Sequence, residues 1–235
     1  MSAKVLIAIQ ARSNNTRLPG KCRMLVGGVP MLERVIREAK KSQNHIHTDP
    51  RKNIGVEVCV LVPRADPLAE EYRLHCPIIE GPEDDVLTRY HMALTTFNPD
   101  YIVRITADCP LIPPKTITAH IVRAVSNQLD YVSNCDPDTR TSADGHDVEV
   151  ISRRLLEWVH KYAVTPYDRE HVTPLIRKEK PDWATRKDIH EKIDYSQLKL
   201  SVDTEEDLFF VNGWFNLQRK KHATSVERDG GMFLV

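Results

Sequence analysis

Short apolar runs alternate with amphipathic stretches along the chain, and this alternation predicts a succession of strands and helices. Residues 4–9 (KVLIAI) suit a strand buried on both faces. Pro30 then stands where a first-turn proline belongs, and Leu32, Val35, Ile36 and Ala39 repeat at the spacing of one helical stripe. Glu33 and Arg37 sit one turn apart on its flank. Residues 56–62 form a second buried strand stopped by Pro63, 66–75 a helix, and 77–79 a very short strand. Residues 83–97 are helical by pattern, with Val86, Tyr90, Ala93, Leu94 and Phe97 on one face, and 101–106 form a further strand. The pattern continues with a helix over 113–128 opened by two prolines, strands at 130–133 and 148–152, and helices at 153–162 and 168–178. A late strand at 198–202 and a helix from 204 to 218 complete the succession. Two polar stretches, 42–53 and 135–145, are expected to be loops, and the His45-x-His47 pair in the first is expected to be solvated.

This rhythm predicts an α/β fold, with a mostly parallel central sheet flanked by helices on both faces. Ligands on such sheets bind at the carboxyl ends of the strands, so the residues just after each strand carry the interest. Composition narrows the field. The 235 residues, 41% of them hydrophobic, can bury one sizeable core, and 33 basic residues balance 33 acidic ones. Zero net charge argues against a protein built to bind a nucleic-acid backbone or an anionic membrane. Five scattered cysteines without a Cys-x-x-Cys pair point to reduced thiols, no apolar run reaches membrane-spanning length, and the expected setting is the cytoplasm. The expected organisation is a single domain over 1–218, with a dimerisation or acceptor subregion at 135–165, and a basic tail over 219–235 that ends Met-Phe-Leu-Val.

The first strand runs into Gln10-Ala11-Arg12-Ser13-Asn14-Asn15-Thr16-Arg17-Leu18-Pro19-Gly20-Lys21. Three cations fall within ten residues, at Arg12, Arg17 and Lys21. Guanidinium forks, a point-charge lysine and turn amides are what a triphosphate needs, although a solvated basic loop reads the same way from charge alone. It is neither a P-loop nor a Gly-x-Gly-x-x-Gly dinucleotide fingerprint. The strand at 101–106 ends at Ala107-Asp108-Cys109-Pro110, where Asp108 is placed to hold magnesium or to cap the next helix. Val202-Asp203-Thr204-Glu205-Glu206-Asp207 repeats the arrangement of an aspartate after an apolar run, and doubles as a helix-capping sequence.

The loop Gln-Ala-Arg-x-x-x-Thr-Arg-Leu-Pro-Gly-Lys, followed by Gly-Gly-x-Pro-Met-Leu-Glu-Arg-Val at 27–35, closely resembles the spore-coat polysaccharide cytidylyltransferase-like family. These are relatives of the 3-deoxy-manno-octulosonate cytidylyltransferases within the acylneuraminate cytidylyltransferase superfamily. The resemblance spans residues 4–212 and implies a Rossmann-like nucleotide-diphosphosugar transferase fold. It implies CTP as nucleotide, with Gln10, Ala11, Arg12, Ser13, Asn14, Arg17, Lys21, Arg89, Ala107 and Asp108 binding it. Arg12, Lys21, Asp108 and Asp203 are the implied catalytic set, with Asp108 and Asp203 as magnesium ligands and Glu205, Glu206 and Asp207 as helix-start acids. Arg89 comes from Asp-Val-Leu-x-Arg-Tyr, a segment that faces the nucleotide in the family; the residues alone also allow an ion pair with Asp85, itself a helix cap. Asp144-Gly145-His146-Asp147-Val148-Glu149-Val150 and Arg169-Glu170-His171-Val172-Thr173-Pro174 match segments that lie toward the acceptor.

Asp147 and Glu149 alternate so as to share one strand face, where they grip an acceptor amine or hydroxyl or form dimer salt bridges. Arg104 adds positive charge there or pairs structurally. The implied partners are CTP and a small acidic acceptor (a sugar acid, a phosphorylated or a phosphonate compound), together with a second copy of the chain. One departure stands out: the family usually has Met-Gly-Ser where this chain has Ser13-Asn14-Asn15, which is expected to stiffen the loop or put an asparagine at positive φ. Competing readings are a glycosyltransferase on the same fold, disfavoured because Thr106-Ala107-Asp108-Cys109 holds one acid and not an Asp-x-Asp pair, and an inactive nucleotide-binding relative.

Overall fold

The computed structural model describes residues 2–49 and 52–229. Its first strand, β1 (Ala3–Gln10), lies in the middle of a seven-stranded sheet, because Val5, Leu6, Ile7, Ala8 and Ile9 are apolar on both faces. A two-stranded hairpin, β2 (Leu25–Val26) and β3 (Val29–Pro30), leads into α1 (Met31–His47). Then come β4 (Ile54–Pro63), α2 (Leu68–Tyr72), β5 (Ile78–Gly81), α3 (Val86–Phe97), β6 (Tyr101–Thr106) and α4 (Pro114–Ser126). The second half holds β7 (Tyr131–Ser133), β8 (Glu149–Ser152), α5 (Arg153–Tyr162), α6 (Pro166–His171), α7 (Pro174–Glu179), β9 (Arg186–Asp188) and α8 (Glu205–Asp229). The sheet order is β5-β4-β1-β6-β8-β7-β9, and β8 alone runs against its neighbours. This is the α/β architecture with a mostly parallel sheet that the periodicity predicts.

The core divides across the sheet. Ile7 and Ile9 pack with Val35, Ile36, Ile117 and Ile121 of α1 and α4, whereas Leu6 and Ala8 pack with Leu87, Tyr90, Leu94 and Leu155 of α3 and α5. Parallel register sets β1 beside β4 and β6, with Gln10 opposite Leu61 and Thr106. The carboxyl ends of the three central strands therefore meet along one edge, and the functional residues collect there.

Several elements differ from expectation. The 42–53 stretch is helical through His47: Ser42 is buried against Thr118 at 3.0 Å and Ile46 is fully buried, so a polar-looking segment continues the apolar stripe of α1. His45 and His47 are exposed as expected, although they stand on a helix and not in a loop, and His47 Nε2 accepts a hydrogen bond from the Val56 amide at 3.1 Å. The helix expected over 168–178 is two, because Val172 adopts φ +69° with its amide bonded to Asp168 O. Thr173 N bonds His171 O at 2.8 Å across it, a tight three-residue turn that a β-branched residue tolerates only under constraint. The expected strand at 198–202 is not one, and only a single bridge pairs Lys199 with Asp144. The β2–β3 hairpin and β9 are too short to read from periodicity. Helix α8 runs without a break across position 218 to Asp229, and the last tail residues, 230–235, lie outside the described residues.

Candidate active site

The loop after β1 is closed by its own backbone and by Asp66. Ala11 N donates to Leu61 O at 2.9 Å, and Gly20 N donates to Ser13 O at 3.1 Å, with Gly20 in the left-handed region at φ +71°. Ser13 donates to the buried Asp66 carboxylate through both amide (2.7 Å) and hydroxyl (2.6 Å), while Asn15 Nδ2 holds Arg12 O at 2.8 Å. No residue of the Ser13-Asn14-Asn15 run takes positive φ, so the family's missing glycine is replaced by a loop tied down from the side. Ser13 faces Asp66, and Asn14 is exposed.

A crevice of about 210 Å³ opens at the strand ends, lined by Gln10, Ala11, Arg12, Asn15, Arg17, Lys21, Arg89, Ala107, Asp108 and Asp203 among others. Its focus is Lys21, whose ammonium donates to Asp108 Oδ2 at 2.8 Å, Asp203 Oδ1 at 3.1 Å and Val202 O at 3.1 Å, with the side chain only 10% exposed. Burial opposes the lysine charge, but the two carboxylates outweigh it and hold the amine above its ordinary value. Burial likewise pushes Asp108 up, and the Lys21 ammonium reverses this and leaves the carboxyl below the ordinary range. Both aspartates are brought together by main chain, since Val202 N donates to Asp108 O at 2.9 Å. Gly145 allows the approach: at φ +101° its Cα faces the chain at Ser201, where a Cβ would lie 2.4 Å from the Ser201 amide nitrogen. The capping task falls to Asp207, whose Oδ2 accepts from the amides of Asp203 and Thr204 at 2.9 and 3.0 Å, which leaves the Asp203 carboxylate pointing into the crevice.

Arg17 reaches Asp203 Oδ1 at 2.9 Å from a mostly exposed position. Arg89 is 2% exposed and does not pair with Asp85; its longest-range donors reach only the carbonyls of Ala11, Leu61 and Glu83 at 3.4–3.5 Å, and its Nε has no partner. Burial, with Arg12 nearby, lowers its pKa. Gly81 makes room for it, because a Cβ there would lie 2.7 Å from Arg89 Cγ. Asp85 instead caps α3 through Thr88 N at 2.9 Å and clamps Arg169 at 2.5 Å, which draws α6 over the crevice. Glu170 and His171, in a segment that the resemblance set toward the acceptor, line this first crevice as a result and not the second cavity. The abrupt Thr-Pro breaks at Thr165-Pro166 and Thr173-Pro174 were the signal that this segment is a shaped loop and not one helix.

A second cavity of about 240 Å³ shares Arg17, Thr106, Asp108 and Asp203 with the first and extends to Arg104, Asp144, Asp147 and Ser201. Strand β8 begins only at Glu149, and the face sharing expected of Asp147 and Glu149 does not occur. Glu149 is 1% exposed, held by Arg104 Nη1 at 2.5 Å, by the Tyr131 hydroxyl and by Arg177 at 3.6 Å, and does not line either cavity. Burial disfavours its charge, but Arg104 and Arg177 keep its carboxyl below the ordinary range. Asp147 does line the second cavity, paired with Arg140 at 2.6 Å, and burial together with the Asp144 and Glu149 charges pushes its carboxyl up to about 6.

The carboxylate oxygens of Asp108 and Asp203 suit magnesium, and they converge on a cation already, in the form of the Lys21 ammonium. No group of three or more metal-ligating side chains exists among the described residues, so the pair would leave room for phosphate and water ligands. Among these residues no helix is long and apolar enough to cross a membrane.

A parallel sheet with a cationic, carboxylate-bearing crevice at its strand ends defines a nucleotide-binding transferase site. The cytidylyltransferase family model matches residues 6–209, and the chain belongs to that family: it is a CTP-dependent nucleotidyltransferase. It is 30% identical over 222 residues to an uncharacterised protein of Methanocaldococcus jannaschii, covering 89% of this chain and 86% of that one. It is 26% identical over 210 residues to the spore coat polysaccharide biosynthesis protein SpsF of Bacillus subtilis, covering 86% and 82%. A solved cytidylyltransferase from Leptospira borgpetersenii superposes with a TM-score of 0.76 at 30% identity, covering 87% of this chain and 83% of that one.

Proposed function

We propose that this enzyme moves CMP from CTP onto a small acidic acceptor and releases pyrophosphate, with magnesium held by Asp108 and Asp203. The observation that carries the reading is the Lys21 ammonium seated between those two carboxylates at the end of the central strands. Arg12, Arg17, Lys21 and Arg89 line the crevice that would take the triphosphate, and the buried Nε of Arg89 has no partner. The loop is closed before the ligand arrives by the Ser13 amide on Asp66 and the Gly20 amide on Ser13 O, so its cations need little reorganisation on binding. An acceptor oxygen in the second cavity attacks the α-phosphorus in line; the bond to the β-phosphate oxygen breaks and its electron pair leaves with pyrophosphate. Arg12 and Lys21 neutralise the charge that grows on that leaving group. Magnesium supplies positive charge against the phosphate oxygens when bound. No protein nucleophile is required.

The test is pyrophosphate release from CTP and magnesium with a panel of sugar acids, phosphates and phosphonates. Asp108→Asn and Asp203→Asn are each expected to lower the rate by roughly 10²–10³, the scale of losing one preorganised electrostatic contact. A variant of either kind that releases pyrophosphate at the wild-type rate would falsify the assignment.

A further inference from the structure

The two cavities share the Lys21–Asp108–Asp203 centre but differ in charge. The first is lined by Arg12, Arg17, Lys21 and Arg89. The second contains Asp144 and Asp147 in addition to the shared aspartates, and its own cation, Arg104, is already neutralised by Glu149. Asp144 is half-buried, and no ion pair or side-chain hydrogen bond to its carboxylate exists among the described residues. Asp147 has one partner, Arg140, which does not line the cavity. The two carboxylates lie close enough that the Asp144 charge raises the proton affinity of Asp147. Once a triphosphate has drawn Arg17 and Lys21 toward itself, the Asp144 charge in this cavity has no cation partner and Asp147 has only Arg140.

The same cavity offers donors. Arg104 lines it with a buried Nε that has no hydrogen-bond partner, although its Nη1 is committed to Glu149. A ligand filling the space therefore meets the Arg104 side chain, the partnerless Asp144 carboxylate and the Arg140-paired Asp147. A purely anionic acceptor would set like charge against Asp144, and a neutral one would leave that carboxylate without a counter-ion.

We propose that the acceptor is zwitterionic: its acid group faces the reaction centre and Arg104, and an ammonium group is seated on Asp144 and Asp147. This rests on the reading of the second cavity as the acceptor site and narrows the acceptor to amino-bearing small acids. The ammonium acts as an anchor remote from the reacting oxygen, which fixes the approach of the acceptor to the α-phosphorus. Asp144 and Asp147 are positioning residues in this scheme.

The experiment compares matched probes at pH 8, where Asp147 is ionised: 2-aminoethyl phosphate, its N-acetyl derivative and 2-hydroxyethyl phosphate, and an amino sugar acid with its N-acetyl form. Pyrophosphate release gives kcat/KM, and calorimetry in the presence of magnesium and a non-hydrolysable CTP analogue gives acceptor binding. The free amine is expected to exceed its N-acetyl and hydroxyl partners by at least about tenfold in kcat/KM, carried in KM, corresponding to about 1.4 kcal/mol. Asp144→Asn is expected to erase that preference, with CTP affinity reporting the integrity of the fold; Asp147→Asn and the wild-type comparison decide the matter if the first variant does not fold. Equal or better use of the N-acetyl or hydroxyl probes, or a preference that survives in Asp144→Asn, overturns the ammonium site while leaving cytidylyl transfer intact. Binding of CTP with none of the amines bound overturns it as well. Failure of every probe together with absence of magnesium-dependent CTP binding sinks the transfer reading itself.

Discussion

Replacing Lys21 with methionine keeps the length of the stem and removes the cation that holds the two aspartates. The ammonium lies 2.8 Å from one carboxylate and 3.1 Å from the other, on a side chain 10% exposed. At about 3 Å and an effective dielectric of about 20, each attraction is worth roughly 5 kcal/mol before desolvation is charged against it. Breaking such a buried pair from one side costs about 3–5 kcal/mol, because Asp108 is left without a cation and Asp203 keeps only more exposed ones. Arg17 and Lys199 compensate little, since they are 68% and 41% exposed and reach Asp203 but not Asp108. For a chain of this size the melting temperature is expected to fall by about 6–20 °C in the absence of ligands. A divalent cation no longer competes with the ammonium for Asp108 and Asp203. Magnesium without nucleotide is therefore expected to raise the melting temperature of Lys21→Met more than that of wild type, while cytidylyl transfer is lost. Thermal scans with and without magnesium read both effects. A variant that melts within about 2 °C of wild type, or gains no more than wild type from magnesium, refutes the view that one buried cation holds the centre together.

Three further outcomes follow from neighbouring contacts. Arg89→Met removes a buried guanidinium with no carboxylate partner among the described residues, so stability is expected to hold or rise while CTP affinity drops by about tenfold or more; calorimetry and a thermal scan separate the two, and a loss of stability without a loss of affinity counts against a nucleotide role. Gly145→Ala drives a Cβ into the main chain at Ser201 and asks alanine to hold φ +101°, so it is expected to cost more than about 1 kcal/mol and to weaken magnesium-dependent CTP binding by moving Asp203; unchanged binding would mean the approach is not needed. Asp147 keeps its proton up to about 6 in the folded chain against an ordinary 3.8, so wild type gains stability as pH falls through 6 toward 3.8, by at most about 3 kcal/mol. Asp147→Asn is expected to lack that gain, and melting curves of the two proteins that run parallel between pH 7 and 5 exclude it.

The buried strands and the helices with clear apolar stripes were legible because period and burial agree, as in β1, β6 and α5. Reading failed where tertiary contacts override local pattern. Ser42 and His47 are polar yet belong to a packed helix, because Thr118 and the Val56 amide satisfy them. The chain at 198–202 has strand composition but takes its hydrogen bonds from Asp144 and Asp108 in loops. In the site, the charged residues could be named from the sequence, whereas their pairing could not. Nothing in the spacing says that Glu149 turns inward to Arg104, that Asp207 takes over capping from Asp203, or that Asp85 prefers Arg169 to Arg89.

The Val202–Asp108 hydrogen bond has a consequence for how the molecule is made. The chain leaves the ribosome amino end first, and β1, the phosphate loop and β6 can assemble while the rest is still being synthesised. Asp203 follows Lys21 by 182 residues, and only with it does Lys21 acquire its second carboxylate. A chain interrupted before that segment carries most of the cationic nucleotide wall yet lacks half of the acidic pair. Synthesis of the segment that carries Asp203, and not of the phosphate loop, is therefore the step that completes the acidic pair.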